Sequence, residues 1–206
     1  MRRFFACVLI LLLGGCGLAV SEKPMFAATD TVGAPRFADG IWLLKDDAEC
    51  RFDAAEPMSR WPDCAHWAEY RDGRWSEPVD KEGLVMKPLE NEILLVGGKI
   101  ALMQIGFKAD SSEWDGPTFL FMAFDNRAKG GKLKSLALWP VMCGTMVDYK
   151  DAAERRDPMP AVKQRYPGFD EKCRPESQAA LRAAASASRR DRSKLTHLQW
   201  LRERLD

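Results

Sequence analysis

Two histidines, His66 and His197, are the first side chains to consider as acids, bases or metal ligands. His66 has three near neighbours in sequence, Asp63, Cys64 and Glu69, which could serve a metal ion or a cysteine–histidine pair. No second histidine lies nearby, and the chain has no Gly-x-Ser-x-Gly motif, phosphate-binding glycine loop or calcium loop. We therefore predict no metal site, no cofactor and no catalytic residue. A pair of carboxylates brought together by folding is the remaining route to a hydrolase.

Tryptophan is the more informative residue type. Seven tryptophans occur, and four fall within 34 residues of one another: Trp42, Trp61, Trp67 and Trp75. An indole offers a rigid apolar face with one donor, which suits a core and also a cup for sugar rings or apolar ligands. Both interpretations stay open, and Trp42, Trp67 and Trp75 are the candidate ligand-binding residues. The tripeptide Gly40-Ile41-Trp42 resembles the Gly-x-Trp that opens lipocalin barrels, a likeness from which no function follows.

A basic segment at 189–194 contains Arg189, Arg190, Arg192 and Lys194. Such a run is usually a solvated linker between two helices. It also has the charge needed to contact anionic headgroups or a cell-wall polymer. The sequence leaves both interpretations open.

The first sixteen residues predict export and an anchor. Arg2 and Arg3 precede an unbroken apolar run at 4–13, which is typical of a secretory signal peptide. The run is too short for a membrane span, which needs roughly 20 apolar residues. It leads to Leu13-Gly14-Gly15-Cys16, which resembles the lipobox of bacterial lipoproteins at every position. That resemblance implies cleavage before Cys16, acylation of Cys16 with chains such as palmitate, and a mature protein held at a membrane face.

The residue after Cys16 is Gly17, whereas inner-membrane lipoproteins commonly have Asp there. The resemblance therefore implies the outer membrane, with the protein facing the periplasm. The expected partners are the membrane, through the lipid anchor, and an envelope protein or a cell-wall polymer. Removal of residues 1–15 takes two arginines and no acid, which leaves 29 basic side chains against 30 acidic ones. This near-neutral balance predicts no nucleic-acid partner.

Four cysteines stay in the mature chain once Cys7 leaves with the signal peptide and Cys16 takes lipid: Cys50, Cys64, Cys143 and Cys173. An even number of thiols in an oxidising compartment predicts two disulfides. Proximity in sequence favours pairing the first two and the last two among the three possible connectivities. A four-cysteine zinc site is the alternative, although such sites usually have closely spaced cysteine pairs.

The chain divides into four predicted segments. Residues 1–15 are the signal peptide, and 16–39 are the lipidated N-terminus with a flexible tether, because Ser, Pro, Gly and Thr mix there without a period. Fully extended, some twenty residues of that tether would reach about 65–70 Å. Residues 40–173 form an antiparallel β domain, and 174–206 form a helical segment.

The predicted β domain consists of short runs separated by turn residues. Asp72-Gly73 predicts a hairpin over 65–75, with a helix at 65–70 as the alternative, and Gly97-Gly98 predicts another over 93–107. Further strands are expected at 41–45, 50–52 and 117–124, the last with a return partner at 133–141, and a loop at 149–175 held by Cys173. The fold class is thus α+β and mainly β, an antiparallel meander closed into a small barrel or folded into a sandwich.

Two C-terminal helices are expected beyond this meander. Residues 175–187 are rich in Ala and have Glu176 near their start. Residues 193–205 place four leucines at spacings of three, three and four, which predicts one apolar helix face: Leu195, Leu198, Leu201 and Leu205.

Together these features predict a membrane-anchored periplasmic lipoprotein whose domain binds or assists a partner without catalysing a reaction. Binding of a small apolar or saccharide ligand in a Trp-lined cup is one alternative. A cell-wall hydrolase is the other.

Overall fold

A sheet of ten strands forms most of the protein. The computed structural model describes residues 17–45, 50–80, 85–107, 119–125, 128, 131–146, 162–189 and 195–204. The strands within these ranges are β1 (Val20–Ser21), β2 (Arg36–Phe37), β3 (Gly40–Lys45), β4 (Trp67–Arg71), β5 (Arg74–Pro78), β6 (Met86–Pro88), β7 (Glu92–Val96), β8 (Ala101–Gly106), β9 (Phe119–Phe124), β10 (Lys132–Leu133), β11 (Ser135–Pro140), β12 (Gly144–Met146), β13 (Val162–Arg165) and β14 (Thr196–Arg202). One α-helix, α1 (Gln178–Ser188), and two 3-10 turns, Ala28–Thr31 and Met58–Arg60, accompany them.

The main sheet has the strand order β6-β5-β4-β3-β14-β11-β9-β8-β7, and β1 adds to it by pairing with β9. Every ladder in this sheet is antiparallel. Two small ladders lie outside it, β10 with β2 in parallel and β12 with β13 antiparallel. The predicted class, mainly β with an antiparallel sheet, is confirmed.

The sheet curls into an open half-barrel. Its inner core combines Trp75 from β5 with Met103 from β8, two strands that lie near opposite edges of the sheet. Only a strongly curved sheet brings such strands into one cluster. Between β6 and β7 no ladder forms in the part of the chain that the structure describes, so the curve does not close there.

The outer face of the sheet is covered as well. Because side chains alternate along a strand, β3 sends Trp42 into the inner core and its neighbours Ile41 and Leu43 outward. The loop closed by the Cys50–Cys64 disulfide covers that outer patch, and α1 covers another further along the sheet. Burial on both faces explains why several strands read as nearly continuous apolar runs.

Both predicted hairpins are confirmed. Asp72 and Gly73 have φ of 49° and 81°, so both turn residues adopt the left-handed conformation that a two-residue hairpin requires. β4 and β5 pair on either side of this turn, and the alternative of a helix at 65–70 is wrong. β7 and β8 pair across the turn that contains Gly97-Gly98. The predicted strand at 117–124 and its return partner appear as β9 and β11, with residues 117 and 118 outside the described ranges.

The predicted helix at 193–205 is wrong, because Thr196–Arg202 forms β14 in the middle of the sheet, between β3 and β11. A bulge between Trp200 and Arg202 shifts the register. Side chains alternate along the strand, so Leu198 faces the inner core and Leu201 faces the outer patch, and leucines three apart serve opposite faces of the strand. Only one C-terminal helix is present among the described residues.

That helix, α1, confirms the other helical prediction and begins three residues later than expected. Ser177 is its N-cap, and the Ser177 hydroxyl accepts a hydrogen bond from the Ala180 N–H at 3.1 Å. Glu176 therefore precedes the cap rather than lying in the first turn.

The prediction of a flexible tether is wrong for residues 17–39, which pack on the sheet. Ala19, Phe26 and Phe37 are between 1% and 4% exposed, and β1 and β2 form ladders within this segment. The buried amide of Gln104 on β8 fixes its middle. The Gln104 oxygen accepts from the Met25 and Phe26 N–H groups at 2.8 and 3.0 Å, and its nitrogen donates to the Phe26 carbonyl.

Two smaller predictions also change. Residues 50–52 form no strand, and the disulfide to Cys64 holds Cys50 in place. The predicted loop at 149–175 contains the strand β13, which pairs with β12. Residues 149–161 of that predicted loop lie outside the described ranges.

Candidate functional site

The three candidate tryptophans are core residues. Trp42 is fully buried, and Trp67 and Trp75 are 6% and 7% exposed. The rings of Trp42 and Trp75 meet edge to face in the inner core, 5.9 Å between centroids, whereas Trp67 packs on Trp61 in the outer patch. The Trp42 indole N–H donates to the Ala38 carbonyl at 2.9 Å. The predicted Trp-lined cup is therefore wrong, because these indoles face opposite sides of the sheet and fill its cores.

Both predicted disulfides are present. The Cα atoms are 5.7 Å apart in Cys50–Cys64 and 5.3 Å apart in Cys143–Cys173. The second bond lies in the buried cluster beneath α1, and the first lies at the protein surface beside a groove. Cys16 precedes the described residues, so its acylation stays a prediction.

The groove beside Cys50–Cys64, here called the disulfide groove, has a volume of about 640 Å³. It lies on the outer face of the sheet between β3, β14 and the loop that the disulfide closes. Its lining residues are Leu43, Leu44, Lys45, Cys50, Arg51, Phe52, Ala54, Cys64, Gln199 and Leu201. Residues 46–49, which adjoin Lys45 in sequence, lie outside the described ranges.

The chemistry of this groove is apolar with a few polar groups. The leucines and Phe52 offer hydrophobic contact, Gln199 offers one amide, and Lys45 and Arg51 bring positive charge. Small-molecule sites are usually concave, mostly apolar and about 300–1,000 Å³ in volume, a range that includes this groove. The lining suits an apolar molecule that carries an acceptor or an anionic group.

A buried carboxylate is the charged group that the sequence analysis missed. Glu69 on β4 is 6% exposed, and its Oε2 accepts from the Arg204 guanidinium at 2.8 Å. Its Oε1 lies 3.0 Å from Nε of Arg71, and Glu69 lines a second groove of about 500 Å³ together with Arg74 and Ser76. Glu69 therefore lies between two arginines, and its ion pair with Arg204 links β4 to the chain that follows β14. No local sequence signal could have found this contact, since the partners are 135 residues apart.

Another charged pair braces the chain beside Cys173. The Asp170 carboxylate accepts from the Arg174 side chain at 2.6 Å and from the Lys172 and Arg174 N–H groups. Desolvation alone would raise the pKa of Asp170, but these hydrogen bonds and the Arg174 charge outweigh it and lower that pKa. Arg174 also pairs with Glu22 at 2.8 Å, which ties this loop to the N-terminal segment.

The histidines do not form a shared site. The His66 backbone carbonyl accepts from the Leu44 N–H at 2.8 Å, and His197 lies on β14 opposite Lys45 of β3. Within the described ranges no three His, Cys, Asp or Glu side chains are close enough together to hold a metal ion. None of the helices in those ranges has the length and apolarity needed to cross a bilayer.

Comparison with known proteins adds no relative. No protein family, curated protein or solved structure matches this chain. A function must therefore be argued from the chain's own residues and geometry.

Proposed function

We propose that this protein is a bacterial envelope lipoprotein, acylated at Cys16, whose disulfide-bonded domain binds or assists a partner at the membrane without catalysing a reaction. The partner is an envelope protein or a cell-wall polymer, and the compartment is the periplasmic side of the outer membrane. The observation that carries the proposal is the sequence Leu13-Gly14-Gly15-Cys16 after an apolar run.

The cysteines support the same compartment. Each of the four cysteines that follow Cys16 is used in a disulfide, as expected for a chain exported to an oxidising environment. Cytosolic thiols are kept reduced, so a cytosolic protein would not be expected to hold two such bonds.

Metabolic labelling with palmitate tests the acylation. The wild-type protein should incorporate label and fractionate with membranes, and Cys16→Ser should lose both properties. Cys7→Ser is the matched control, because Cys7 lies in the segment that cleavage would remove, and it should label normally. An unlabelled wild-type protein that keeps its first fifteen residues would refute the proposal.

A second candidate function is binding of a small apolar ligand in the disulfide groove, which is favoured by the groove's volume and its Leu43, Leu201 and Phe52 lining. Titration with the apolar fluorophore N-phenyl-1-naphthylamine tests it. Ala54→Trp should fill the groove and weaken binding at least tenfold. The matched control, Ala55→Trp, changes a neighbouring exposed residue outside the lining and should leave the affinity unchanged. Equal affinity in both variants would exclude the groove as the site.

A further inference from the structure

Gly17, the first described residue, is already fixed in the fold. Its carbonyl oxygen accepts from the Cys143 N–H at 2.7 Å, and Leu18 bridges Met142. The Met146 side chain fills the space where a side chain at position 17 would lie. In sequence, Cys16 comes immediately before this fixed residue, so no residue separates the proposed lipid attachment from the fold.

We propose that the lipidated protein has no spacer, and that its face around Gly17 rests directly on an anionic bilayer surface. This inference depends on the proposed acylation of Cys16 and identifies the surface that the anchor would bring to the membrane. We call that surface the anchor face and define it by the described residues Gly17, Met142, Met146, Lys163 and Arg165.

The C-terminal end of α1 borders this face. The Met142 N–H donates to the Ser188 hydroxyl at 2.9 Å, so the last residue of α1 lies beside the bridge between Leu18 and Met142. Arg189 follows and pairs with Asp125 at 2.8 Å. The sequence then adds three basic residues and one acidic residue before Leu195, which precedes β14.

The β12–β13 ladder supplies the other side of the anchor face. Gly144 of β12 pairs with Arg165, and Lys163 lies between this position and the pair formed by Met146 and Val162. Lys163 and Arg165 are both exposed. The nearby acidic residue Glu171 accepts the Arg165 guanidinium through its backbone carbonyl rather than its carboxylate. Basic side chains next to a bilayer are attracted to anionic lipid headgroups, so the charge complements the position of the anchor.

A matched lysine lies at the other end of the sheet. Lys132 in β10 is exposed like Lys163, and it precedes β11, whose six residues span about 20 Å before the chain reaches Met142. The two lysines therefore report on positions near opposite ends of β11 without any substitution.

Lysine acetylation of the full lipidated chain tests the inference. The protein is modified in detergent micelles and on phosphatidylglycerol vesicles, and mass spectrometry follows each lysine as well as the acyl chains on Cys16. We expect Lys163 to react at least fivefold more slowly on vesicles than in micelles, with Lys132 changing less than twofold. A variant with about ten Gly and Ser residues inserted between Cys16 and Gly17 should lose the protection of Lys163.

Each remaining outcome is decisive. Acylated protein with equal rates at Lys163 and Lys132 on vesicles would overturn the flush orientation and leave the proposed function standing. Equal protection on neutral phosphatidylcholine vesicles would overturn the role of anionic headgroups. Protein recovered without acyl chains on Cys16 would overturn both proposals.

Discussion

Gln104 shows how one buried side chain decides the placement of a distant segment. Its amide, 5% exposed, satisfies three backbone groups of Met25 and Phe26, which lie 79 and 78 residues away. Buried backbone donors that lack partners are costly, so this amide stabilises the N-terminal segment against the sheet. The sequence shows only a polar residue within an apolar run, which does not say which backbone it contacts.

Replacement of this amide should loosen the segment. Gln104→Leu keeps the volume but leaves two buried N–H groups without an acceptor, and we expect it to lower the free energy of unfolding by about 2–4 kcal/mol. Urea denaturation measures the change. Gln164→Leu, at an exposed position on β13, is the control and should change stability by less than about 0.5 kcal/mol. Equal effects would mean that the Gln104 bonds contribute nothing.

Glu77 gives the protein a predictable pH dependence. Burial raises the pKa of this carboxyl above its ordinary 4.5, and Lys87, opposite it on β6, only partly offsets the effect. The folded state therefore favours the protonated form, so this group adds stability as pH falls through its folded pKa towards 4.5 and loses that contribution as pH rises.

The neutral variant Glu77→Gln should accordingly melt at a higher temperature than the wild type at pH 7, with the difference shrinking as the pH approaches 4.5. Calorimetry at several pH values checks this. Glu92→Gln, at an exposed position on β7, should show no such convergence. A variant that melts lower than the wild type at pH 7 would contradict the assignment.

The two disulfides differ in how deeply they are buried. Cys143–Cys173 joins the start of the β12–β13 hairpin to the loop before α1 within a buried cluster, whereas Cys50–Cys64 closes a surface loop. Their sequence separations are 30 and 14 residues, for which chain entropy alone gives about 3.7 and about 3 kcal/mol.

We expect the double variant Cys143→Ala/Cys173→Ala to be less stable than the double variant Cys50→Ala/Cys64→Ala. Removal of the buried Cys143–Cys173 bond loses both the entropic effect of closing a loop and core packing. Urea denaturation of both double variants gives the order. The second double variant should also lose binding of the apolar fluorophore if the groove is its site. The reverse order of stabilities would show that the surface loop matters more than the cluster under α1.

Elements marked by their own turn residues or composition were predictable from the sequence. Elements fixed by contacts with residues far away in sequence were not. The β4–β5 hairpin follows from Asp72-Gly73, and α1 follows from its Ala-rich composition. β14 was missed because it buries leucines on both of its faces, which gives them a helix-like spacing. The N-terminal segment was missed because its order comes from Gln104 and β9. The disulfide groove was not predictable, since it requires β3 and β14, which lie far apart in sequence, to be neighbours.

The whole sheet depends on the last strand along the chain. β14 separates a half made of β3–β6 from a half made of β7, β8, β9 and β11, and its Leu198 and Trp200 pack in the inner core. Each half alone would expose an edge and part of a hydrophobic face.

Truncation tests this dependence. A chain ending after Lys194 should fail to fold and should be digested rapidly by trypsin, because the halves cannot join. A chain ending after Arg204 keeps β14 and the bond to Glu69 and should melt within a few degrees of the full protein. Protease resistance in the shorter chain would show that one half folds independently.

The central position of β14 also sets the order of events during biosynthesis. While a ribosome is still adding residues beyond α1, the nascent polypeptide lacks β14, the strand that joins the two halves of the sheet. The sheet can therefore be completed only after β14 has emerged. For the export proposed above, a precursor kept open in this way would stay suited to threading through a narrow translocation channel and would gain its rigid native form only afterwards.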